Sequence, residues 1–351
     1  MTTQSNAAVE AAVPLPPEAR LMNILGGSFP AQAVYVAAKL GIADLLKKQP
    51  LPVAELARRT ETHERALYRT LRCLASLGVF KETPEKIFEL TPEAELLIAD
   101  QPGSMKDAAI FMGEPWHWSV YSELLYSVKT GKVAWERVHG KEVFPYLQEH
   151  PAEYEVFNRA MTSFSTNTLP ALVEAYDFAG VRKLADIAGG HGMPLTGFLK
   201  ANPRLEGLLF DLRQVIEGAA AVLEQEGVAD RVELKTGDFF EAVPSGADAY
   251  MMKFIIHDWD DERALKILRN IHKVLPVGGR LLIIEMVVPE GNEPHFSKIQ
   301  DLEMLVSPGG AERTHGEYRD LLNRAGFELK RVIPTRTPLS IVESFKNEDA
   351  K

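Results

Sequence analysis

One histidine and two glutamates in this chain of 351 residues have the types and the placement of an acid–base site. His257 stands in Phe254-Ile255-Ile256-His257-Asp258-Trp259, directly after an apolar run that reads as a buried parallel strand. Ligands of an open α/β sheet bind at the carboxyl ends of its strands, so an imidazole there is a candidate general base. Glu285 interrupts the next apolar run, Ile283-Ile284-Glu285-Met286-Val287-Val288, where a carboxylate is costly to bury without a partner. Glu312, in Gly309-Gly310-Ala311-Glu312-Arg313-Thr314, precedes a helix and can reach the same histidine. A glutamate that accepts from the ring nitrogen turned away from substrate fixes the tautomer and steadies the imidazolium. A lone histidine here is more often a cap or an interface residue; the two carboxylates favour the catalytic reading. Asp258 is expected to cap the helix that starts near Asp261.

A second constellation lies upstream. Asp186-Ile187-Ala188-Gly189-Gly190-His191-Gly192 closes a short apolar run. Glycines just after a strand let the backbone approach a ligand, with the next helix beginning over it. A dinucleotide fingerprint needs a third glycine where Leu195 stands, which disfavours a pyrophosphate binder such as a nicotinamide dehydrogenase. Asp211 ends the next run, Leu208-Leu209-Phe210-Asp211-Leu212, where a carboxylate can accept from both hydroxyls of a ribose. Gly237-Asp238-Phe239-Phe240 ends a third and offers a carboxylate for an amino group and a ring for a base. Each aspartate alone is better read as a helix cap. Acids at successive strand ends are harder to assign to chance.

The elements that must hold these residues are legible as two patterns. From about residue 181 short apolar runs alternate with amphipathic segments: KLADIA, EGLLFDL, RVELKTG, AYMMKFI and RLLIIEMVV, then a helix and the strands FELKRVIP and LSIVESF. That order is a doubly wound, Rossmann-like α/β domain ending in an antiparallel hairpin. Residues 21–97 read as helices followed by a short hairpin around Thr83-Pro84, a winged-helix order. Leu67, Leu71, Leu74 and Leu77 form the apolar face of its second helix, and Arg65, Arg69 and Arg72 share another. Between Leu51 and Ile98 seven Lys and Arg face eight Asp and Glu, so no basic footprint marks a DNA reader. Residues 102–176 carry many large side chains, among them Met112, Trp116, Phe157 and Met161. Such residues usually build plain core and equally line pockets for flat apolar ligands.

DIAGGHG, FDL, GDFF, MKFIIHDW, GGRLLIIE and GGAERT, in this order and spacing, resemble the bacterial and plant small-molecule O-methyltransferases of the caffeic acid and hydroxyneurosporene type. The resemblance runs from about residue 21 to residue 345. It implies a methyltransferase domain that binds S-adenosylmethionine and releases S-adenosylhomocysteine, and a mostly helical N-terminal domain that makes a homodimer. By that resemblance Gly189, Gly190, Gly192, Asp211, Leu212, Asp238, Phe239 and Lys253 are the cofactor contacts. His257 is implied as general base with Glu285 and Glu312 orienting it, and Met112, Trp116, Phe157, Met161 and Met304 as contacts of a small, apolar hydroxyl acceptor. Two departures stand out: Ala188 takes the place of the first of three glycines, and Arg213 that of a proline.

The expected organisation is a tail over residues 1–17, a winged-helix dimerisation domain over 18–101, linking helices that line the acceptor pocket over 102–176, and the methyltransferase domain over 177–346. A net charge of −10 excludes a general affinity for nucleic acid or anionic lipid. No run approaches the ~20 apolar residues of a membrane span, and the start of the chain lacks a secretion signal. A single cysteine, Cys73, fits a reducing cytoplasm. Clustered carboxylates for a hard cation are not apparent, so a metal-free reaction in secondary metabolism is expected. Two other readings share this text: the same cofactor used for C-methylation, hydroxylation or decarboxylation, and a winged-helix regulator with a degenerate enzyme domain.

Overall fold

A computed structural model describes residues 15–347, in two compact units divided between Ala99 and Asp100. The segment expected as a tail lies outside the described residues as far as residue 14, and a helix begins at Pro17, a residue suited to a first helical turn.

The first unit has helices at Pro17–Leu25, Ser28–Lys39, Ile42–Leu46, Val53–Arg59 and Glu64–Ser76, and a hairpin of Phe80–Thr83 with Ile87–Leu90. His63 caps the helix Glu64–Ser76 by accepting from the Ala66 amide at 3.3 Å. Leu67, Leu71 and Leu74 bury its apolar face. Leu77, expected on that face, is exposed, because the helix stops at Ser76 and Gly78 turns the chain at φ 81°. Arg65, Arg69 and Arg72 are exposed, as are Leu21, Met22, Ile24, Leu25 and Phe29 on the first two helices.

In the second unit, strands β1 (Lys183–Ile187), β2 (Glu206–Asp211), β3 (Val232–Thr236), β4 (Ala249–Lys253), β5 (Arg280–Val288), β6 (Phe327–Pro334) and β7 (Leu339–Lys346) lie in the order β6-β7-β5-β4-β1-β2-β3. The first five are parallel to one another, and β7 runs antiparallel between β5 and β6. The runs of β1, β2, β4 and β5 are strands because they are mostly apolar and buried, as a sheet covered on both faces requires, whereas β3, at the sheet edge, alternates apolar and charged residues. One core packs the helices Asp261–Val274 and His315–Arg324 on Tyr250, Met252, Leu281 and Ile283; the other packs Leu195, Phe198 and Leu223 on Leu184, Leu209 and Met251. The order reverses between β1 and β4, which opens a crevice at their carboxyl ends.

Candidate active site

The crevice is built from the loops after β1, β2, β3 and β4. After β1 the backbone turns sharply: Gly190 and Gly192 have φ 60° and 82°, and Ala188 also lies in the left-handed region at φ 56°. A side chain at Gly189 would fall 2.4 Å from Asp186 Cγ, whereas a Cβ at Gly190 would meet nothing within 4 Å. The turn is thus closed beneath and open above, a cradle that ligand backbone contacts can use. Asp211, at the end of β2, accepts from the Gly190 amide at 2.8 Å and the Leu212 amide at 2.7 Å. Each of its oxygens keeps a lone pair for a ribose hydroxyl. Burial raises the Asp211 carboxyl and those two amides oppose the shift. Asp238 ends the next loop and accepts from the Phe240 amide at 2.7 Å. Phe239 and Phe240 stand edge-on to each other and to Trp259, with centroids 4.7–6.1 Å apart, and Asn270 holds both their carbonyls.

Asp186 is buried, its Oδ2 has no hydrogen-bond partner among the described residues, and its carboxyl is pushed up to about 8 by burial and by Asp211, against Lys253. Burial draws the Lys253 ammonium down to about 7, with Asp186 opposing. Lys253 Nζ bonds Ser165 Oγ at 3.0 Å and sits 4.1 Å from the Phe254 ring centroid. An unsatisfied buried carboxyl group, an open glycine turn and the Asp211 carboxyl with a lone pair free on each oxygen fit the amino-acid end and the ribose of S-adenosylmethionine.

The candidate base of the sequence analysis, His257, follows β4. His257 sits in the single turn Ile256–Asp258 after β4 and is buried. Its Nδ1 is 2.8 Å from Glu312 Oε1, so the carboxylate takes the Nδ1 hydrogen and Nε2 is the nitrogen not committed to Glu312. Pairing of Val287 with Arg313 brings Glu312 there. Glu285 is fully buried beneath the loop and does not bond the ring. Its Oε1 accepts from the amides of Ile255 at 3.1 Å and His257 at 3.2 Å, and its Oε2 accepts from the Tyr318 hydroxyl. Burial lowers the His257 pKa, but Asp258, Glu312 and Glu285 outweigh it and carry the imidazole up to about 9.

Asp258 does not cap the following helix. Asp260 does so, accepting from the Arg263 amide at 2.9 Å, while Asp258 Oδ1 stands 3.5 Å from His257 Nε2. The local text, Asp258-Trp259-Asp260-Asp261, gives three aspartates for one cap and no rule to choose. Three further residues escaped the sequence reading. Tyr318 is placed by the helix His315–Arg324, which a Thr314/Glu317 capping box starts. Arg313 clamps the carbonyls of Ile256 and Trp259 at 3.1 and 2.9 Å. Gly310 passes so near that a Cβ would lie 1.9 Å from the His257 carbonyl oxygen. Of the acceptor candidates, Trp116 and Phe157 both meet the Phe111 ring, at 5.7 and 5.8 Å, and Met304 is buried. Met161 is half-buried on the long helix Pro151–Ala175, and Met112 is exposed.

A sheet of this order, with its glycine turn and acidic strand ends, defines a class I S-adenosylmethionine-dependent methyltransferase. Residues 121–328 match the O-methyltransferase domain and residues 22–100 the O-methyltransferase dimerisation domain. The phenazine O-methyltransferase PhzM of Lysobacter antibioticus is 43% identical over 97% of this chain and 99% of its own. The mitomycin biosynthesis 6-O-methyltransferase of Streptomyces lavendulae is 37% identical over 93% and 94%. The crystal structure of LaPhzM superposes with a TM-score of 0.90 at 42% identity over 95% of this chain and all of that one. CalO1, a methyltransferase in calicheamicin biosynthesis solved in its SAH-bound form, gives 0.85 at 32% identity over 95% and 100%. The chain belongs to the O-methyltransferase family that carries an N-terminal dimerisation domain. No helix among the described residues is long and apolar enough to cross a membrane.

Proposed function

We propose that the protein methylates a phenolic or enolic hydroxyl of a small, largely apolar natural product, with His257 as general base and Glu312 as the group that orients it. The observation that supports this reading is the buried Glu312–His257 pair, which commits Nδ1 and leaves Nε2, 3.5 Å from Asp258 Oδ1, as the ring nitrogen that can take a proton. S-adenosylmethionine, when bound, supplies a methyl group on a sulfonium, an electrophile that a neutral phenol attacks poorly. A phenol of pKa near 10 is only about one part in a thousand ionised at pH 7, and removing its proton as the bond forms offsets roughly 4 kcal/mol of that deficit. His257 Nε2 would take that proton, and the Glu312 carboxylate steadies the resulting imidazolium.

Asp211 is assigned to the ribose, Asp238 and Phe239 to the base, and Gly189, Gly190, Gly192, Leu212 and Lys253 to the rest of the cofactor site. Trp116, Phe157 and Met304 are assigned to the acceptor pocket, with Met112 and Met161 as outer contacts. Relatives named as a phenazine O-methyltransferase and a 3-amino-4-hydroxybenzoate 4-O-methyltransferase support an aromatic acceptor, and one named for mitomycin biosynthesis supports a natural product. The working form is a cytoplasmic homodimer that ignores nucleic acid and membranes, since exposed Leu21, Met22, Ile24 and Leu25 form an apolar helix that a second copy would cover. The reaction is read as metal-free because Glu312 and Glu285 are both committed to the histidine loop. A methylation screen with labelled S-adenosylmethionine over phenols, flavonoids and polyketides tests the reading. Transfer to oxygen that survives a chelator supports it; transfer abolished by the chelator and restored by magnesium contradicts it.

A further inference from the structure

Phe254 stands at φ 55°, in the left-handed region that suits glycine, directly after β4 ends at Lys253. A bulky residue adopts that conformation under strain, because its Cβ crowds the following carbonyl oxygen. Such residues persist where their surroundings hold them, and they collect at functional sites. The Phe254 amide still donates to the Ile284 carbonyl of β5 at 3.2 Å, so the strained backbone is tied to the sheet. A glycine would make the same turn without strain. The ring is what a glycine would lack.

That ring lies face to face with the imidazole of His257, with centroids 5.1 Å and planes 19° apart. Lys253 Nζ is 4.1 Å from the same centroid, and the side chain also packs on the core that contains Met251 and Ile284. The polar contacts of His257 lie at its ring edge and its main chain. Nδ1 meets Glu312 at 2.8 Å, Nε2 stands 3.5 Å from Asp258 Oδ1, Glu285 holds the amide, and the Ala311 amide donates to the carbonyl. A bond at one ring edge leaves the imidazole free to tilt about the line from Nδ1 to Glu312. A stacked ring removes that tilt, since aromatic pairs prefer a narrow set of offset geometries. Methyl transfer tolerates little misplacement of the group that takes the proton.

We propose that Phe254 is a positioning residue for the reaction: its left-handed turn lays the ring against His257 and fixes the plane of the imidazole, so that Nδ1 stays on Glu312 and Nε2 keeps one direction. The proposal rests on His257 as the general base.

The measurement that needs no acceptor is proton exchange in the protein loaded with S-adenosylhomocysteine. The Nδ1 proton of His257 is expected as a downfield, slowly exchanging resonance, identified by its loss in His257→Ala. Nδ1 keeps that hydrogen whether or not Nε2 is protonated. Phe254→Leu, which keeps an apolar side chain without a ring, should speed exchange with water about tenfold, the size of one aromatic pair. Phe254→Tyr should restore the wild-type rate. Phe254→Gly relieves the positive φ and serves if Phe254→Leu does not fold.

Turnover is then measured on the plateau of the pH profile, with the phenol that the labelled screen finds. In Phe254→Leu kcat should fall about tenfold while KM for S-adenosylmethionine stays within about twofold, and Phe254→Tyr should recover it. In a His257→Ala background Phe254→Leu should add almost nothing, because it acts through the imidazole. Unchanged exchange or unchanged kcat in Phe254→Leu, a tyrosine variant as impaired as the leucine one, a loss that falls on KM for S-adenosylmethionine, or the full loss repeated in the His257→Ala background overturns the assignment. His257→Ala at the wild-type rate refutes the base itself, and with it any role in the reaction for the ring stacked on it.

Discussion

Tyr318 donates its hydroxyl hydrogen to Glu285, and Glu285 in turn holds the backbone amide of His257. His257 is therefore gripped twice, at its ring by Glu312 and at its main chain by a carboxylate that does not bond the ring. Tyr318→Phe should leave Glu285 Oε2 buried and unmet, at about 1–3 kcal/mol of stability. It should also lower kcat by loosening the loop, without changing affinity for S-adenosylhomocysteine. Glu285→Gln should be milder, since an amide oxygen can still accept from both backbone groups. Thermal unfolding together with steady-state rates checks both, and a Tyr318→Phe enzyme equal to wild type in each would remove Tyr318 from the account.

Glu312 should set the pH at which the enzyme works. The imidazole must be unprotonated to act as base, and the surrounding carboxylates carry its pKa up to about 9. The rate should climb about tenfold per pH unit below that value and level off above it. Glu312→Gln removes one negative charge, so the imidazole loses its proton more readily and the rise should move to lower pH, with a lower plateau from poorer orientation. The pH profile of kcat/KM for the two enzymes checks this. A rise that stays in place after the substitution would mean that another group titrates.

Asp211 should carry cofactor affinity independently of the base. Asp211→Ala removes the acceptor assigned to the ribose and also frees the amides of Gly190 and Leu212. A loss of about 1.5–3 kcal/mol in S-adenosylhomocysteine binding is expected, with the fold kept. Calorimetry checks it, and unchanged affinity would refute the ribose assignment.

Much of this was legible in one sequence because the central parallel strands are mostly apolar, and their ends fall where acids and glycines interrupt the run. That is why Asp186, Asp211, Asp238 and His257 were placed at strand ends from text alone. Glu285 was legible as an anomaly inside a strand, but its partners were not: Tyr318 is 33 positions away on a helix whose face only the packing decides. The pairing of His117 with Glu303 spans 186 positions and has no local signal at all. Ala188 shows a different limit. The residue type argues against φ 56°, yet the turn between β1 and Gly190 imposes it, a conformation that costs an alanine about 1–2 kcal/mol.

The central claim is that His257 removes the acceptor proton while the cofactor is held elsewhere. Its most direct measurement is kcat of His257→Ala just above pH 9, where the wild-type imidazole is largely unprotonated, with a phenolic acceptor and beside calorimetric affinity for S-adenosylhomocysteine. The expected result is a fall of about 10²–10⁴-fold in kcat with cofactor affinity near wild type. A variant that methylates the phenol at close to the wild-type rate would contradict the account and leave positioning of an already ionised acceptor in its place.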